Sequence, residues 1–364
     1  MSKKKIAFVI GSLSAGGAER VITTLSNKLI DNYEIFIISL IKKTPFYQID
    51  SRVNLKYCLE NDITSKNFLE SLLLNIKLVF KIKKILRNNN VDMAIGFITM
   101  ANILTVIASK MVGIPCIISE RNNPELEKTH FFWRFLRRLT YPRADILTVQ
   151  TEGIKKFYTN FIKKNKIVTV PNPISDELSN NRNLNCKKEN IILNVGRLHK
   201  QKNQLTLIKA FAKIHYGNWK LILLGEGEDR PKILKLIKNL NITDNVILLG
   251  KQPDIAKYYN SSKIFAFTSL YEGFPNALIE AMHFGLACIS YDCPTGPSEL
   301  IENNHNGKLI RLNDEKALVK GLQELIYNKK LLRKLGENAI LTTNKYRIES
   351  VLVEWKTVFE KLLK

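Results

Sequence analysis

The sequence predicts an α/β protein made of two Rossmann-like, doubly wound domains. Segments typical of buried strands alternate with segments typical of amphipathic helices through both halves of the chain, which favours parallel sheets covered by helices on both faces. A glycine-containing loop follows the first strand of each half, at residues 11–17 and at residues 196–203. The length of 364 residues is also more typical of two domains than of one.

The first domain is predicted to cover residues 1–172. It begins with a strand at 5–10, a glycine loop and a helix, a layout that can cradle phosphate with backbone N–H groups. Gly16 and Gly17 are therefore candidates for contact with a phosphate-bearing ligand, although a tight turn alone would explain the same residues. The loop is not a G-x-G-x-x-G sequence, so a nicotinamide-binding function has little support. The further predicted elements are strands at 33–40, 93–97, 115–119, 145–149 and 167–170 and helices at 66–87, 102–112, 131–141 and 153–161.

A Pro-Asn-Pro sequence at 171–173, followed by a polar tract, predicts an interdomain linker at 173–190. The second domain is predicted at 191–346, and a final helix at 347–364 is predicted to pack back on the first domain. The predicted elements of the second domain are strands at 191–195, 220–224, 245–249, 263–269 and 287–291 and helices at 204–214 and from 231 onward.

The stretch from residue 268 to residue 285 carries the main chemical signal. It reads as the end of a buried strand, a tight turn at Glu272 and Gly273, and a helix that starts at Pro275 and stops at Gly285. A helix N-terminus attracts phosphate, and Glu272 and Glu280 could accept hydrogen bonds from sugar hydroxyls. This combination favours a nucleotide-sugar ligand. An amphipathic helix with one turn Glu and one solvated Glu is the alternative.

A second signal is the basic loop that follows the first strand of the second domain. Arg197 can form paired hydrogen bonds to phosphate oxygens, and Lys202 can supply a point charge. Fixed cations of this kind stabilise a departing diphosphate. The alternative is two solvated basic residues on a loop.

The net charge of +23 is large, and a part of the excess lies in residues 66–166. Within that stretch, two helices combine basic and bulky apolar residues. The predicted basic positions are Lys77, Lys81 and Lys84 on the first helix and Arg134, Arg137 and Arg138 on the second. Such helices suit an anionic membrane surface or the diphosphate of a lipid-linked sugar. The alternative is a pair of core-packed helices with solvated outer faces.

The sequence gives little support for a metal site, a membrane span, a signal peptide or a nucleic-acid ligand. The five Cys and five His residues show no metal-ligand spacing, and the scattered cysteines indicate a reducing cytoplasm. The longest uncharged run, 93–109, is short for a membrane span, and the N-terminus lacks a signal-peptide cleavage pattern. Nucleic-acid binding would require aromatics interleaved with basic residues, and only 131–141 offers this pattern.

Four separated motifs together resemble the retaining family-4 (GT4) glycosyltransferases of bacterial surface-polysaccharide and lipid-linked oligosaccharide synthesis. They are GSLSAGGAER, GRLHKQKN, EGFPNALIEAM and GPSELI, and they span almost the whole chain. The segment WRFLRRLTYPRAD is also similar to the matching region of transferases that add N-acetylgalactosamine to lipid-linked oligosaccharides.

This resemblance implies a GT-B fold, in which two Rossmann-like domains face a cleft, and transfer from a UDP-sugar with retention of anomeric configuration. It implies that Arg197 and Lys202 stabilise departing UDP, that Glu272 contacts the transferred sugar and that Glu280 holds the ribose. The donor-binding residues it implies are Gly16, Gly17, Gly196, Leu249, Gly250, Gly273, Phe274, Pro275, Asn276, Ala277 and Glu280. No metal or other cofactor is expected, because the chain has no D-x-D motif.

The acceptor implied by the resemblance is an undecaprenyl-diphosphate-linked or similar lipid-linked saccharide, on the cytoplasmic face of the inner membrane. Many relatives carry a His near residue 120, where this chain has Glu120 and Arg121, so an acceptor role for either residue stays open. The resemblance favours N-acetylgalactosamine or N-acetylglucosamine as the transferred sugar, ahead of galactose and glucose. The alternative functions are a sugar-nucleotide epimerase of the same fold and a non-enzymatic basic protein that binds nucleic acid or membrane.

Overall fold

The computed structural model describes residues 3–61, 67–125, 130–215 and 217–363. The chain divides into two compact units, Met1–Asn172 with Val351–Lys364, and Pro173–Ser350. The tract 173–190, which the sequence suggested as a linker, belongs to the second unit. It contains a short helix, Asp176–Asn180, whose Leu178 is buried in the core of that unit.

The first unit is a seven-stranded, all-parallel sheet with strand order β3-β2-β1-β4-β5-β6-β7. Its strands are β1 Lys5–Ile10, β2 Glu34–Ile41, β3 Asn54–Leu59, β4 Met93–Phe97, β5 Cys116–Ser119, β6 Ile146–Val149 and β7 Ile167–Thr169, and its helices are α1 Gly17–Leu29, α2 Phe68–Asn88, α3 Thr99–Val112, α4 Phe131–Thr140 and α5 Glu152–Tyr158. The strand order reverses between β1 and β4, and ligands of doubly wound sheets bind beside the carboxyl ends of the strands at such a reversal.

The second unit repeats this order with six parallel strands, β10-β9-β8-β11-β12-β13. Its strands are β8 Glu189–Val195, β9 Lys220–Leu224, β10 Val246–Gly250, β11 Ser262–Phe267, β12 Ala287–Asp292 and β13 Lys308–Arg311, and its helices are α6 Asp176–Asn180, α7 Gln204–Ala212, α8 Arg230–Asn239, α9 Ala256–Ser261, α10 Asn276–His283, α11 Pro297–Leu300, α12 Glu315–Tyr327 and α13 Lys329–Thr342. The reversal lies between β8 and β11. The predicted α/β class with two doubly wound sheets is confirmed.

The last helix, α14 Ile348–Glu360, joins the core of the first unit. Trp355 is fully buried and stacks on Phe97 of β4, with ring centroids 6.1 Å apart. Phe359 packs edge-on against Tyr33 at 5.7 Å. Large aromatic side chains contribute much of the free energy of burial, so these contacts explain why the end of the chain lies on this sheet.

Some element boundaries and two edge strands differ from the sequence prediction. The helix predicted to start at Lys66 begins at Phe68 in the structure, and residue 66 lies outside the described residues. Pro275 caps α10 instead of opening it, while Gly285 follows the helix in the left-handed region, at φ 68°. The edge strands β3 and β13 were missed because polar residues interrupt their apolar pattern. In β13, Lys308 is buried and its ammonium lies 2.8 Å from Glu324.

Within the part of the chain that the structure describes, no helix combines the length and the apolar character needed to cross a bilayer.

Candidate functional site

In the second unit, the loops that follow β8 and β11 are bonded to each other at the reversal of strand order. The backbone N–H of Leu270 donates to the Gln201 carbonyl at 2.8 Å, and the Gln201 side-chain amide donates to the Tyr271 carbonyl at 2.9 Å. The Thr268 hydroxyl donates to the Lys202 carbonyl at 3.1 Å. These bonds fix the basic loop against the loop that carries Glu272.

Lys202 and Glu272 form an ion pair at this position, with 2.6 Å between Nζ and Oε1. The Glu272 side chain is only 7% exposed and that of Lys202 is 22% exposed. The ammonium also lies 5.5 Å from the centroid of the Phe267 ring. A buried charge needs a partner, so this pair holds a cation and a carboxylate in fixed positions without a ligand. Burial and the nearby Glu272 carboxylate raise the pKa of the Cys293 thiol to about 12.

Arg197 lies at the start of the same loop, but its side chain is exposed. Its backbone is fixed because its carbonyl accepts a hydrogen bond from the Gln204 side chain at 3.0 Å. Gly225 packs directly on this loop at φ 135°, and a Cβ there would lie 2.0 Å from the Gly196 carbonyl oxygen. The structure thus combines a closely packed backbone at Gly196 with an exposed arginine side chain.

Residues 273–275 lead into α10, whose first turn carries no acidic residue. Phe274 and Pro275 are buried, Gly273, Asn276 and Ala277 are half-buried, and Phe274 packs on the ring of Tyr346 at 6.1 Å. Glu280, one turn further, is 4% exposed and accepts a hydrogen bond from the Tyr259 hydroxyl at 3.1 Å.

The turn before α11 supports this site through Thr295, a residue that no sequence motif singled out. The Thr295 hydroxyl donates to the Glu272 carbonyl at 2.6 Å, and Thr295 itself has φ 65°. A β-branched residue rarely adopts this conformation, and such strain concentrates at functional positions. Gly296 follows at φ 106°, and a Cβ there would lie 2.6 Å from Cδ of Pro275. The GPSELI motif begins at Gly296, directly after Thr295, but no local pattern could show the contact with Glu272.

Leu249 and Gly250 lie at an irregular end of β10, where the strand register shifts between Leu248 and Gly250. The Leu249 carbonyl accepts a bond from the Gln252 side chain at 2.6 Å, and the Gly250 carbonyl accepts one from the Gly225 N–H at 2.8 Å. Bulges of this kind recur beside binding sites. In the structure both carbonyls already have internal donors.

In the first unit, Gly16 precedes α1 and Gly17 is its first residue. The Glu19 carboxylate folds back over Gly16, where a Cβ would lie 2.1 Å from Glu19 Oε2. Burial raises the pKa of Glu19. A phosphate that approached this helix end would have to displace that carboxylate.

Glu120 lies at the end of β5, fully buried. It accepts hydrogen bonds from the hydroxyls of Tyr141 at 2.8 Å, Tyr158 at 3.0 Å and Thr99 at 3.2 Å. Burial and the Glu120 charge raise the pKa of both tyrosines well above the usual value. In this structure the carboxylate is an internal hydrogen-bond acceptor that ties α3, α5 and the end of α4 to the sheet.

Arg121 is also inside the first unit, at 7% exposure. Its guanidinium lies 5.2 Å from the Phe97 ring and 5.7 Å from the Trp355 ring, and it donates to Asn172 Oδ1 at 2.7 Å. Burial lowers the pKa of this guanidinium to about 9. Arg121 therefore anchors both the returning helix α14 and the end of the first segment of this unit.

The basic helices differ from the predicted stripes. Lys77 and Lys84 are exposed on α2, but the Lys81 ammonium turns back and donates to the Cys58 carbonyl. On α4, Arg134 and Arg138 are exposed, whereas Arg137 is 3% exposed. Its guanidinium lies 5.6 Å from the Phe157 ring, because the end of α4 packs on α5. Lys81 and Arg137 are therefore drawn toward the protein interior, while the other two cations of each helix stay exposed.

The exposed faces of α2 and α4 are apolar as well as basic. Eight of the fifteen exposed large hydrophobic side chains in the described part of the chain lie on α2, on α4 or at the end of α3. They are Leu69, Leu73, Ile76, Phe80, Met111, Phe131, Phe135 and Leu139. Such a concentration on one region marks an interaction surface.

His283 at the end of α10 predicts a pH-dependent stability of the second unit. His283 is 1% exposed, and its burial, together with the charges of Arg182 and Arg347, lowers the pKa of its imidazole to about 4. The unfolded chain, with a His pKa near 6.5, binds the proton first, so stability present above pH 6.5 is lost as pH falls toward 4. We expect a loss of about 2 kcal/mol in the free energy of unfolding between pH 7.5 and 5.

Urea unfolding at these two pH values measures the loss, and His283→Gln should remove most of it. His305→Gln is the matched control, because His305 is exposed. An equal pH dependence in wild type and His283→Gln would contradict this assignment.

Among the described residues, no three His, Cys, Asp or Glu side chains are grouped closely enough to bind a metal ion.

The fold identifies the class of protein to which the chain belongs. Two parallel, doubly wound sheets are the architecture of GT-B glycosyltransferases. The galactosyltransferase WaaB of the lipopolysaccharide outer core superposes with a TM-score of 0.78 at 23% identity, covering 98% of this chain and 100% of its own. HepE of Anabaena, solved with UDP, superposes with a TM-score of 0.80 at 17% identity, covering 98% and 100% of the two chains.

Residues 15–178 match the family model described as Glycosyltransferase Family 4, and residues 175–342 match the one described as Glycosyl transferases group 1. The GalNAc-α-(1→4)-GalNAc-α-(1→3)-diNAcBac-PP-undecaprenol α-1,4-N-acetyl-D-galactosaminyltransferase of Campylobacter jejuni is 32% identical over 96% of this chain and 97% of its own length. An N-acetylgalactosamine-N,N'-diacetylbacillosaminyl-diphospho-undecaprenol 4-α-N-acetylgalactosaminyltransferase of the same organism is 32% identical over 94% and 95%. The chain belongs to the family-4 glycosyltransferases.

Proposed function

We propose that this glycosyltransferase moves an N-acetylhexosamine from a UDP-sugar to a lipid-linked saccharide, with retention of anomeric configuration and without a metal ion. The observation that carries the proposal is the buried ion pair of Lys202 and Glu272, with 2.6 Å between the charged atoms, at the strand reversal of the second unit. Arg197 lies on the same loop. The two cations and the nearby helix N-terminus suit the negative diphosphate, and the carboxylate suits the hydroxyls of the sugar.

In this proposal the diphosphate binds the Lys202 ammonium and recruits the exposed Arg197 guanidinium. Negative charge grows on the β-phosphate oxygens as the glycosidic bond breaks, and cations held in place before the reaction lower the barrier. Lys202 is preorganised by Glu272 and by the bonds to its loop, so little reorganisation is needed during bond cleavage.

Glu272 in this proposal binds hydroxyls of the transferred sugar and does not attack the anomeric carbon. Its Oε1 is held by Lys202, and its backbone is fixed by Thr295. Glu280, already bonded to the Tyr259 hydroxyl, accepts hydrogen bonds from the ribose. The N–H groups of the first turn of α10 complete the phosphate contacts.

The lipid-linked acceptor is supported by the two Campylobacter relatives, whose names specify undecaprenol-linked diphosphate saccharides. It is also supported by the exposed apolar and basic side chains on α2 and α4. A surface of this composition binds anionic lipid. We therefore propose that the protein works at the cytoplasmic face of the membrane, in the synthesis of a bacterial surface glycan.

The test is a product assay with UDP-N-acetylgalactosamine or UDP-N-acetylglucosamine, a panel of undecaprenyl-diphosphate saccharides, and EDTA in excess. We expect one donor to yield an elongated lipid-linked saccharide with an α-glycosidic bond, identified from the anomeric coupling in the proton NMR spectrum. Loss of activity in EDTA that Mg²⁺ restores would contradict metal independence. A β-linked product would contradict retention, and altered free sugar nucleotide without transfer would indicate an epimerase.

A further inference from the structure

Two hollows of the first unit border helix α4 on opposite sides. The first is a groove of about 320 Å³ between α2, α3 and α4. Eleven of the twelve described residues that line it are apolar, including Ile76, Phe80, Met111, Trp133 and Leu136, and Asn75 is the twelfth. Its volume lies within the range of small-ligand pockets. Its described lining can contact hydrocarbon but offers few side-chain groups that can form hydrogen bonds with a ligand.

The second hollow, of about 440 Å³, lies between α4 and α5. Arg134, Arg137 and Arg138 line it together with aromatic side chains such as Phe131 and Phe135. The described lining includes one carboxylate, Glu125, which leaves an excess of positive charge. All three cations are arginines, and the planar guanidinium fork suits paired hydrogen bonds to phosphate oxygens better than an ammonium does.

The exposed side of α4 joins the two hollows. Residues three and four apart share one side of a helix, so Phe131, Phe135, Arg138 and Leu139 lie in a row that faces solvent. Phe135 is 58% exposed and Leu139 is 43% exposed, and both lie between the arginines and the apolar groove. A hydrocarbon chain can therefore pass from one hollow to the other over apolar side chains, across about 10 Å, the width of a helix.

We infer that this pair of hollows binds an isoprenoid diphosphate as one molecule, with its diphosphate on Arg134 and Arg138 and its first isoprene units in the groove. This inference rests on the proposed function, because the ligand is the lipid part of the proposed acceptor. Binding to a bilayer surface would require only scattered cations and a convex apolar face. An apolar groove beside a separate arginine hollow instead matches one hydrocarbon chain joined to one diphosphate.

Calorimetric titration of the full chain with farnesyl diphosphate, without any sugar nucleotide, tests the inference. Inorganic diphosphate and farnesol are the reference ligands, and each should bind at least about tenfold more weakly than the joined molecule. Arg134→Ala with Arg138→Ala should weaken farnesyl diphosphate binding by about tenfold or more per arginine, since each removes charge-assisted hydrogen bonds. The matched control is Arg311→Ala with Arg333→Ala, two exposed arginines of the second unit.

The groove is tested by Ile76→Ser with Phe80→Ser, since both side chains are about half exposed and their replacement leaves the core intact. This variant should lose affinity for farnesyl diphosphate but not for inorganic diphosphate, and Leu234→Ser with Leu341→Ser is its exposed control. Equal affinities for farnesyl diphosphate and inorganic diphosphate would overturn the assignment of the groove. Binding to phosphatidylglycerol vesicles without farnesyl diphosphate binding would overturn the whole inference in favour of a bilayer contact.

The experiments distinguish a failure of the proposed transferase function from a failure of the proposed lipid site. If wild type binds farnesyl diphosphate but transfers no sugar from any UDP-sugar, the proposed function fails and the lipid site stands. If it transfers sugar to a water-soluble acceptor but does not bind farnesyl diphosphate, the lipid site fails and the transferase function stands.

Discussion

Replacement of Lys202 by methionine is expected to lower kcat for sugar transfer by about 100- to 1,000-fold, the effect of removing one preorganised charge-stabilising group. Methionine keeps an unbranched chain of similar length but removes the charge from its position 2.6 Å from Glu272. Steady-state kinetics with the preferred UDP-sugar measures the effect. Lys200→Met is the control, because Lys200 is exposed on the same loop. A kcat within about threefold of wild type would contradict the role of Lys202.

The same substitution leaves the Glu272 carboxylate buried beside an apolar side chain, so lost stability must be separated from lost chemistry. Removing one partner of a buried ion pair costs about 3–5 kcal/mol, and less here because Lys202 is partly exposed. The double variant Lys202→Met with Glu272→Gln removes the unpaired charge. We expect it to recover most of the melting temperature while kcat stays as low as in the single variant. Recovery of activity together with stability would show that Lys202 acts only through folding.

The second large expected effect is on the stability of the first unit. Glu120→Ala removes the acceptor of three buried hydroxyls, those of Tyr141, Tyr158 and Thr99, and leaves a cavity. Buried donors without an acceptor cost about 1–3 kcal/mol each, and the sites are coupled, so we expect a loss of about 3–5 kcal/mol in the free energy of unfolding. Urea unfolding followed by tryptophan fluorescence measures it.

Glu125→Ala is the control for this prediction, because Glu125 is exposed and five residues away. Tyr141→Phe should cost less than Glu120→Ala, since it removes one of the donors and leaves the carboxylate with the others. A Glu120→Ala variant with unchanged stability and lost transfer to the acceptor would contradict the structural role and would make Glu120 an acceptor-binding residue.

The central strands could be predicted from the sequence because they are continuous apolar runs, as the fully buried β4 shows. The edge strands β3 and β13 could not, since their polar residues find partners only through tertiary contacts, as Lys308 does with Glu324. The inward turn of one cation on each of α2 and α4 could not be predicted for the same reason. Helical spacing places Lys81 and Arg137 on a face, but the Cys58 carbonyl and the Phe157 ring draw both side chains inward.

In the candidate site, local motifs predicted Lys202 and Glu272 separately, and the structure brings the two side chains together. Their ion pair, between residues 70 positions apart, depends on the reversal of strand order, which brings the ends of β8 and β11 together. The contact of Thr295 with the Glu272 backbone had no sequence signal beyond the neighbouring GPSELI motif. The interior position of Glu120 follows from two tyrosines far along the chain, and no motif could reveal it.

A crystal structure of the full chain with UDP, grown in the presence of Mg²⁺, tests the central claim most directly. We expect β-phosphate oxygens within about 3 Å of Lys202 Nζ and of the Arg197 guanidinium, with the ribose hydroxyls on Glu280 and no ion between them. A diphosphate held by Mg²⁺ through carboxylates, or bound away from Lys202, would contradict the account.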